Sequence, residues 1–265
     1  ALVGRATESD DICRLLESHR IVTLTGPGGI GKSRLALEVA RKQLGRFSHG
    51  VYLVGLAPVS DAALVVPSIG DVLEVADADV DSLAARLRSG STLLVLDNFE
   101  QVLGAAPDVA TLLERCAGLA VLVTSQAPLR IAGERQYPLQ PLDVSAAGSV
   151  VDSPAGRLFV ERAQAVDPGF DAEANQAGIE LLVSLLDGLP LALELAAARV
   201  NLMTPEQIAA RLRQGTDILS GGGAGAGRHA SVNAAIRWSY ELLSDEAKVV
   251  FRRLAPLRGG MTLEA

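Results

Sequence analysis

Residues 26–33 read GPGGIGKS, so a glycine-rich turn leads directly into a lysine and a hydroxyl side chain. Glycine allows close backbone approach and positive φ, which lets successive N–H groups point at phosphate oxygens. Lys32 would bring a positive charge to the β- and γ-phosphates of ATP, or to the β-phosphate of ADP, and the Ser33 hydroxyl would ligate Mg²⁺. The residues expected to contact the nucleotide are Gly26, Gly28, Gly29, Ile30, Gly31, Lys32, Ser33 and Arg34, and Gly28, Gly29 and Gly31 permit the close approach and positive φ.

A second segment ends in an acid that could serve the same site. Residues 92–97 read TLLVLD, and a buried strand would deliver Asp97 at its carboxyl end, where its carboxylate can hold Mg²⁺ through water. The next residue is Asn98, which cannot usefully accept a proton. Glu100 could orient the attacking water, although a capping or surface acid at the start of the next helix is an equal interpretation. The sequence therefore predicts a Mg²⁺ site at Ser33 and Asp97, with slow hydrolysis if Asn98 occupies the position of the base.

Strand-like and helix-like segments alternate around these residues. The predicted strands are 21–25, 51–54, 92–96, 119–124 and 135–139, and the predicted helices between them are 32–44, 62–73, 80–87 and 106–116. Strands that are apolar throughout are buried on both faces. Together with the intervening helices they indicate a parallel α/β sheet. The glycine-rich loop follows a buried strand and opens a helix, which is the setting that the motif requires.

The strand pattern stops after residue 141, which ends a predicted nucleotide-binding domain at 1–141. Helical patterns at 155–166, 175–186, 191–200 and 205–214 predict a small helical domain at 142–217. A glycine-rich linker is expected at 218–230, because SGGGAGAG cannot hold regular structure. Residues 231–265 open a further helical pattern that is expected to be a domain cut short by the end of the chain.

Composition narrows the class of protein. Hydrophobic residues make up 49% of the 265 residues, enough to bury a sizeable core. The net charge of −7 argues against direct nucleic acid binding by this segment, although a DNA-binding domain could lie elsewhere on a longer parent chain. Cys13 and Cys116 have no metal-like spacing and predict reduced thiols in a cytoplasmic protein. The start lacks the apolar stretch of a signal peptide and no apolar run reaches membrane-spanning length, so no membrane contact is expected.

Five segments occur in an order that resembles a known family: LVGR (2–5), TLTGPGGIGKSRLALEVA (23–40), LLVLDNFE (93–100), LVTSQAPLRIAGE (122–134) and GLPLALELAAAR (188–199). They resemble the STAND class of P-loop NTPases. More narrowly, they resemble the NB-ARC-like ATPase modules of bacterial LuxR-type and SARP (AfsR-like) transcriptional regulators. The tail from residue 228 resembles the opening of their winged-helix domain. The resemblance implies a parallel sheet with helices on both faces, then a small helical domain and the start of a winged helix.

The resemblance also implies an ATP/ADP switch. Nucleotide would be enclosed by the P-loop domain, the helical domain and the winged helix, with ADP locking a closed monomer. ATP exchange would permit opening and nucleotide-dependent self-association, and effector or DNA-binding domains would lie elsewhere on the parent chain. By position, Val3, Gly4 and Arg5 would line the adenine and ribose, and Pro190 would pack on the base.

Two departures from the family pattern affect the expected function. Family members commonly carry an arginine that senses the γ-phosphate where this chain has Gln126, and an amide cannot neutralise phosphate charge. Arg130 is a candidate substitute, with a solvated surface arginine as the alternative interpretation. The sensor histidine of the family would lie beyond Ala265. His19, His49 and His229 are interpreted as surface or linker residues.

The leading hypothesis is a regulatory nucleotide switch with slow ATPase activity. The alternatives are a module that stays locked on ADP without significant hydrolysis, and an AAA+-type motor. A motor would need an acidic pair where this chain has Asp97 followed by Asn98. A small-molecule kinase is a weaker alternative, because nothing after residue 141 resembles an acceptor pocket with an arginine-rich lid.

Overall fold

A computed structural model describes residues 2–145, 149–216, 240 and 245–254. The strands are β1 (Ile21–Thr25), β2 (Val51–Gly55), β3 (Thr92–Asp97), β4 (Leu119–Ser125) and β5 (Glu134–Pro138). The helices are α1 (Ala6–Ser18), α2 (Lys32–Gln43), α3 (Val65–Leu73), α4 (Val80–Leu87), α5 (Ala106–Arg115), α6 (Pro154–Val166), α7 (Gln176–Leu185), α8 (Pro190–Ala197), α9 (Pro205–Thr216) and α10 (Asp245–Leu254). Short 3₁₀ helices occur at Ala62–Leu64, Phe99–Gln101, Leu103–Ala105 and Val150–Asp152.

The five strands form one parallel sheet in the order β2-β3-β4-β1-β5. Strand β4 lies in the middle, and all its residues are buried. Strand β5 lies at an edge and is only partly buried, which explains its polar sequence ERQYP. The predicted α/β class with a parallel sheet is confirmed. In such a sheet the carboxyl ends of all strands meet at one edge, which is where ligands bind in open α/β folds.

The core beside the sheet is mainly aliphatic, with Phe99 as a fully buried aromatic residue, and aromatic residues make up only 3% of the chain. Val121 and Val123 of β4 pack in one cluster with apolar side chains of α3, α4 and α5, while Leu122 is also fully buried and points away from that cluster. Cys116 lies in the same cluster, and burial raises the pKa of its thiol. Both Cys13 and Cys116 are free thiols.

Helices α6 to α9 pack around a second apolar core, with α6 against α8 and α7 against α9. Helix α6 begins with a hydrogen bond from Gly156 N–H to the Ser153 hydroxyl. At the start of α9, the Thr204 N–H donates to the Gln207 side chain over 3.0 Å, and the Gln207 N–H donates back to the Thr204 hydroxyl over 3.4 Å. This reciprocal capping explains why α9 begins where the Thr-Pro pair predicts.

The described chain divides into two compact units. The sheet unit contains Ala6–Gly26 and Lys32–Leu139, and the helical unit contains the segment ending at Arg5, the loop Pro27–Gly31 and the chain from Gln140 to Leu254. The chain therefore passes from one unit to the other at both ends of the glycine-rich loop. The domain limits 1–141 and 142–217 stay predictions.

Several sequence predictions concern residues that the structure does not describe. The linker at 218–230 lies outside the described residues, and of the segment 231–265 only Tyr240 and α10 are described. The winged helix therefore stays a prediction. Among the described helices, none is both long enough and apolar enough to cross a bilayer.

Candidate functional site

Lys32 is the first residue of α2 and follows the glycine-rich loop directly. Lys32 is buried, at 8% relative exposure, and its Nζ donates a hydrogen bond to the Gly26 carbonyl over 2.8 Å. Burial lowers the pKa of the Lys32 amine, while the negative charges of Glu100 and Asp97 raise it. A buried cation at this loop is suited to bind an anionic ligand, because an added negative charge would offset its desolvation.

The backbone of the loop has positive φ at three glycines, Gly26 (+149°), Gly29 (+78°) and Gly31 (+97°). Gly28 would permit such a conformation but does not adopt it. No atom lies within 4 Å of the position that a β-carbon of Gly28 would take. The loop is therefore open at Gly28, and a ligand can approach its backbone there.

Inside the helical unit, the start of α8 holds the loop. The Leu191 N–H donates to the Gly29 carbonyl over 3.1 Å, and a β-carbon at Gly29 would lie only 2.8 Å from Cβ of Leu191. Pro190 lies next to Gly31, with Cγ 4.0 Å from the β-carbon position of that glycine. The segment GLPL therefore contacts the loop through Leu191, a residue that the sequence analysis did not single out. The sequence feature that could have indicated Leu191 is its position next to Pro190.

Arg5 also fixes the loop. Its side chain is buried, and Nη2 donates to the Gln140 carbonyl over 2.6 Å and to the Ile30 carbonyl over 3.4 Å. Gly4 has φ of +67° in the preceding turn, and Val3 is half-buried. Arg5 thus links the Ile30 carbonyl of the loop to the chain at Gln140. The roles of Val3, Gly4 and Arg5 at adenine and ribose stay predictions, as does the role of Pro190 at the base.

Asp97 ends β3 at the carboxyl edge of the sheet, in the position predicted for the metal-site carboxylate. Its Oδ1 accepts a hydrogen bond of 2.5 Å from the hydroxyl of Thr124, which is fully buried in β4. The same hydroxyl accepts from the Asn98 N–H over 3.0 Å. Asn98 has φ of +66°, so it turns the chain away from the strand. The Thr124 hydroxyl therefore fixes both the carboxylate and the turn that follows it.

The oxygen atoms of Asp97 and Ser33 suit Mg²⁺, which prefers hard oxygen ligands and usually keeps several waters. Because Oδ1 of Asp97 is already oriented by Thr124, the carboxylate is preorganised for such a role. Across the described residues, no group of three or more His, Cys, Asp or Glu side chains could hold a metal ion. A Mg²⁺ ion here would therefore need phosphate and water oxygens in addition to Asp97 and Ser33.

Glu100 lies in the 3₁₀ helix Phe99–Gln101 that follows Asn98. Its Oε1 accepts a hydrogen bond of 3.2 Å from the exposed amide of Gln126. Its Oε2 is buried and has no hydrogen-bond partner within the described part of the chain. The sequence left open whether Glu100 caps a helix or acts on water. The Gln126 contact is not a capping contact.

The other residues considered for the site are two arginines and three histidines, and the predicted nucleotide contact of Arg34 stays a prediction. Arg130 is exposed, has φ of +58° and occupies a turn in which its N–H donates to Glu134 over 2.8 Å. Arg34 is exposed on α2. His19 and His49 are half-buried rather than fully on the surface, and His229 lies outside the described residues.

Replacing Thr124 with valine is expected to loosen the Asp97 carboxylate. The change keeps the shape but leaves the Asn98 N–H without its acceptor, a loss of about 1–3 kcal/mol for a buried group. Thr124→Ser keeps the hydroxyl and is the matched control. Urea denaturation should show the loss of unfolding free energy for valine but not for serine. Equal stability of both variants would show that the hydroxyl does not fix this turn.

Comparison with known proteins finds mycobacterial relatives. No protein-family profile matches the chain. A Mycobacterium tuberculosis protein, provisionally named an HTH-type transcriptional regulator, is 38% identical over 258 residues, which are 95% of this chain and 28% of that protein. An uncharacterized protein of Mycobacterium tuberculosis is 35% identical over 271 residues, covering 100% of this chain and 67% of the relative. The chain therefore spans 28% of the length of the regulator-named relative.

Solved structures share the fold. A STAND protein with a tetratricopeptide repeat sensor from Pyrococcus horikoshii has a TM-score of 0.62 and 16% identity, covering 99% of this chain and 36% of that chain. The Walker-type ATPase of Pyrococcus abyssi has a TM-score of 0.55 and 15% identity, covering 94% of this chain and 75% of that chain. At these identities the likeness shows the fold alone, which is that of P-loop ATPases.

Proposed function

This chain belongs to the family of the uncharacterized Mycobacterium tuberculosis protein that matches all of it, and we propose that it is an ATP/ADP-binding regulatory switch with slow ATPase activity. Lys32 and the loop backbone bind the phosphates, while Ser33 and Asp97 hold Mg²⁺. Val3, Gly4 and Pro190 contribute to the adenine and ribose side. The regulator name of the 38% identical relative and the order of the sequence motifs support an NB-ARC-like module of a LuxR-type or SARP-like regulator.

The observation that carries this proposal is the hydrogen bond from Leu191 to Gly29. A loop that only binds phosphate needs no contact with a helix so distant in sequence. Here the loop carbonyl accepts from the first turn of α8, and the loop residues 27–31 belong to the same compact unit as that helix. A change in phosphate occupancy at the loop is thereby coupled to the helical unit, which a switch requires.

The proposed setting follows from charge and length. With a net charge of −7, this segment does not bind nucleic acid directly, and effector or DNA-binding domains lie elsewhere on a longer parent chain. Nucleotide exchange changes self-association of the parent chain. The proposed location is the cytoplasm, where ATP and Mg²⁺ are available.

The nucleotide carried by the purified protein tests the proposal. We expect denaturation to release ADP, identified by chromatography, and phosphate release from added ATP to take minutes or longer per turnover. Steady turnover near ~1–100 s⁻¹, the kinase range, would contradict a switch and favour a motor or transferase. Absence of both bound nucleotide and ATP affinity would contradict the whole proposal.

A second candidate function is a module that stays locked on ADP. The observation that favours it is the conformation of Asn98, whose backbone forms the turn after β3 and whose side chain offers no base. In that case Glu100 would have no role in hydrolysis, because no hydrolysis would take place. Substitution of Glu100 therefore separates the two functions.

Glu100→Gln is expected to slow phosphate release by about 10²-fold, since a positioned base contributes roughly 10²–10⁴-fold to rate. The affinity for ATP should stay within about threefold, because the amide keeps the size of the side chain. Glu114→Gln, on the exposed face of α5, is the control for loss of one carboxylate. Single-turnover phosphate release and equilibrium binding of a fluorescent ATP analogue measure the two quantities. An unchanged rate would assign Glu100 to a structural role.

A further inference from the structure

The ends of β3 and β4 bring a carboxylate and an amide together. The two strands are parallel neighbours, with Leu96 paired to Val123, so the residues after each strand emerge at the same edge of the sheet. The left-handed turn at Asn98 then leads the chain from β3 into the 3₁₀ helix that carries Glu100. On the other strand, Gln126 follows Ser125 directly. These two side chains come into contact because their strands pair, and no sequence motif indicates it.

The contact between Gln126 and Glu100 is a hydrogen bond with a neutral donor and a carboxylate acceptor. The Gln126 amide donates through Nε2 to Oε1 of Glu100 over 3.2 Å. An amide donor adds no charge, so it orients the carboxylate without neutralising it. A glutamate side chain has several rotatable bonds, and fixing one oxygen restricts where the other can lie. The bond therefore decides the direction of Oε2.

The second carboxylate oxygen lacks a donor. Oε2 of Glu100 is buried, and no hydrogen-bond partner for it exists among the described residues. A buried carboxylate oxygen without a donor is unfavourable, and a small donor such as water would satisfy it. Glu100 is also one of the two acids whose charges act on the Lys32 amine. Oε2 is thus a free acceptor close to the group proposed to bind phosphate.

We propose that Gln126 is a positioning residue that holds Glu100 so that Oε2 accepts a hydrogen bond from the water attacking the γ-phosphate. This inference rests on the proposed function. In the step, the water oxygen bonds to the γ-phosphorus while the bond from phosphorus to the bridging oxygen breaks. The water proton passes to Glu100 and then to solvent, leaving ADP and inorganic phosphate. Gln126 thus acts through Glu100 and does not touch the phosphate.

The chemistry of an arginine at this position would differ. A guanidinium commonly pairs with both oxygens of a carboxylate in a bidentate contact, so it would occupy Oε2. Gln126 can leave that oxygen available. Gln126→Arg should therefore slow the reaction, although it adds a positive charge that could attract phosphate. The Gln126→Arg variant therefore distinguishes two roles of this position, which are to position Glu100 and to sense the charge of the phosphate.

Single-turnover phosphate release from the full chain saturated with ATP and Mg²⁺ tests the proposal. Gln126→Ala and Gln126→Arg should each lower the rate by about tenfold or more, a part of what a positioned base contributes. The affinity of Gln126→Ala for ATP should stay within about threefold. In the Glu100→Gln background, Gln126→Ala should have no further effect on rate, because the group that it positions is already inactive. Gln136→Ala, the same change at an exposed site on β5, should match the unmodified protein.

The outcomes distinguish this inference from the proposed function. If Gln126→Ala matches the unmodified rate, if it slows Glu100→Gln further, or if it loses ATP affinity instead of rate, the positioning role is overturned. The same holds if the unmodified chain binds ATP but releases no phosphate, an outcome that supports the ADP-locked module. Absence of ATP binding by the unmodified chain overturns the proposed function and this inference together.

Discussion

Lys32→Ala is expected to abolish nucleotide binding while the protein stays folded. A charge-assisted contact to phosphate contributes about 3 kcal/mol, and each 1.4 kcal/mol is tenfold, so affinity for ATP and ADP should fall by roughly 100-fold or more. The fold should survive because the substitution keeps the backbone of α2, and alanine is a strong helix former at the first residue of that helix. Isothermal titration with ATP and with ADP measures the affinity, and circular dichroism monitors the fold.

Lys42→Ala is the matched control for the loss of a lysine. Lys42 lies on the same helix, α2, but forms an ion pair with Asp10 on the surface over 2.7 Å. Its removal should leave nucleotide affinity within about twofold, because an exposed ion pair contributes little. Equal ATP affinity of Lys32→Ala and the unmodified protein would refute the phosphate site itself.

Gly29→Ala is expected to disrupt the loop, with a large effect on both stability and nucleotide affinity. Positive φ costs a residue with a β-carbon roughly 1–2 kcal/mol. The added methyl would also lie 2.8 Å from Cβ of Leu191, so the loop or α8 must shift. We expect a total loss of about 2–3 kcal/mol and a loss of nucleotide binding, because the loop carbonyls and N–H groups are displaced. Thermal unfolding and ATP titration measure the two effects.

Gly28→Ala tests whether the effect belongs to Gly29 and not to glycine in general. Gly28 does not have positive φ, and no atom lies within 4 Å of its β-carbon position, so the free protein should keep its stability within about 0.5 kcal/mol. Leu191→Gly removes the Cβ that the added methyl would meet, but not the φ strain. Gly29→Ala should therefore cost less stability in the Leu191→Gly background than in the unmodified protein. If Gly29→Ala is as stable as Gly28→Ala, the loop is not held by α8 in the way described.

Much of the fold could be predicted from the residues because local pattern and burial agree. Strand β3 is apolar up to Asp97 since both faces of the sheet are covered. Helix α4 was predicted with both its ends, because Asp79 caps it and the buried residues follow helical spacing. Helix α1 was missed, because among its apolar positions only Ile12 and Leu16 are buried and most of its other residues are polar.

The candidate site was predictable only where a motif carries the chemistry. Lys32 and Asp97 could be found because a phosphate loop and a strand-end acid have recognisable settings. The roles of Thr124 and Leu191 could not, since each depends on a partner brought close by strand register or by packing of distant segments. For Gln126, the sequence showed only that the arginine common in the family is absent. Its contact with Glu100 could not be predicted, because it depends on the pairing of β3 with β4.

If nucleotide binds at the loop as proposed, the Leu191–Gly29 hydrogen bond links nucleotide affinity to the conformation of α8. Thermodynamic linkage is reciprocal: if nucleotide changes the conformation of α8 by a given free energy, any ligand that changes α8 alters nucleotide affinity by the same factor. A protein or domain that binds one conformation of the helical unit would therefore act as a nucleotide exchange factor or as a dissociation inhibitor, without contacting the phosphates. Whether such a partner raises or lowers nucleotide affinity depends on whether it favours the conformation of α8 in which Leu191 donates to the loop.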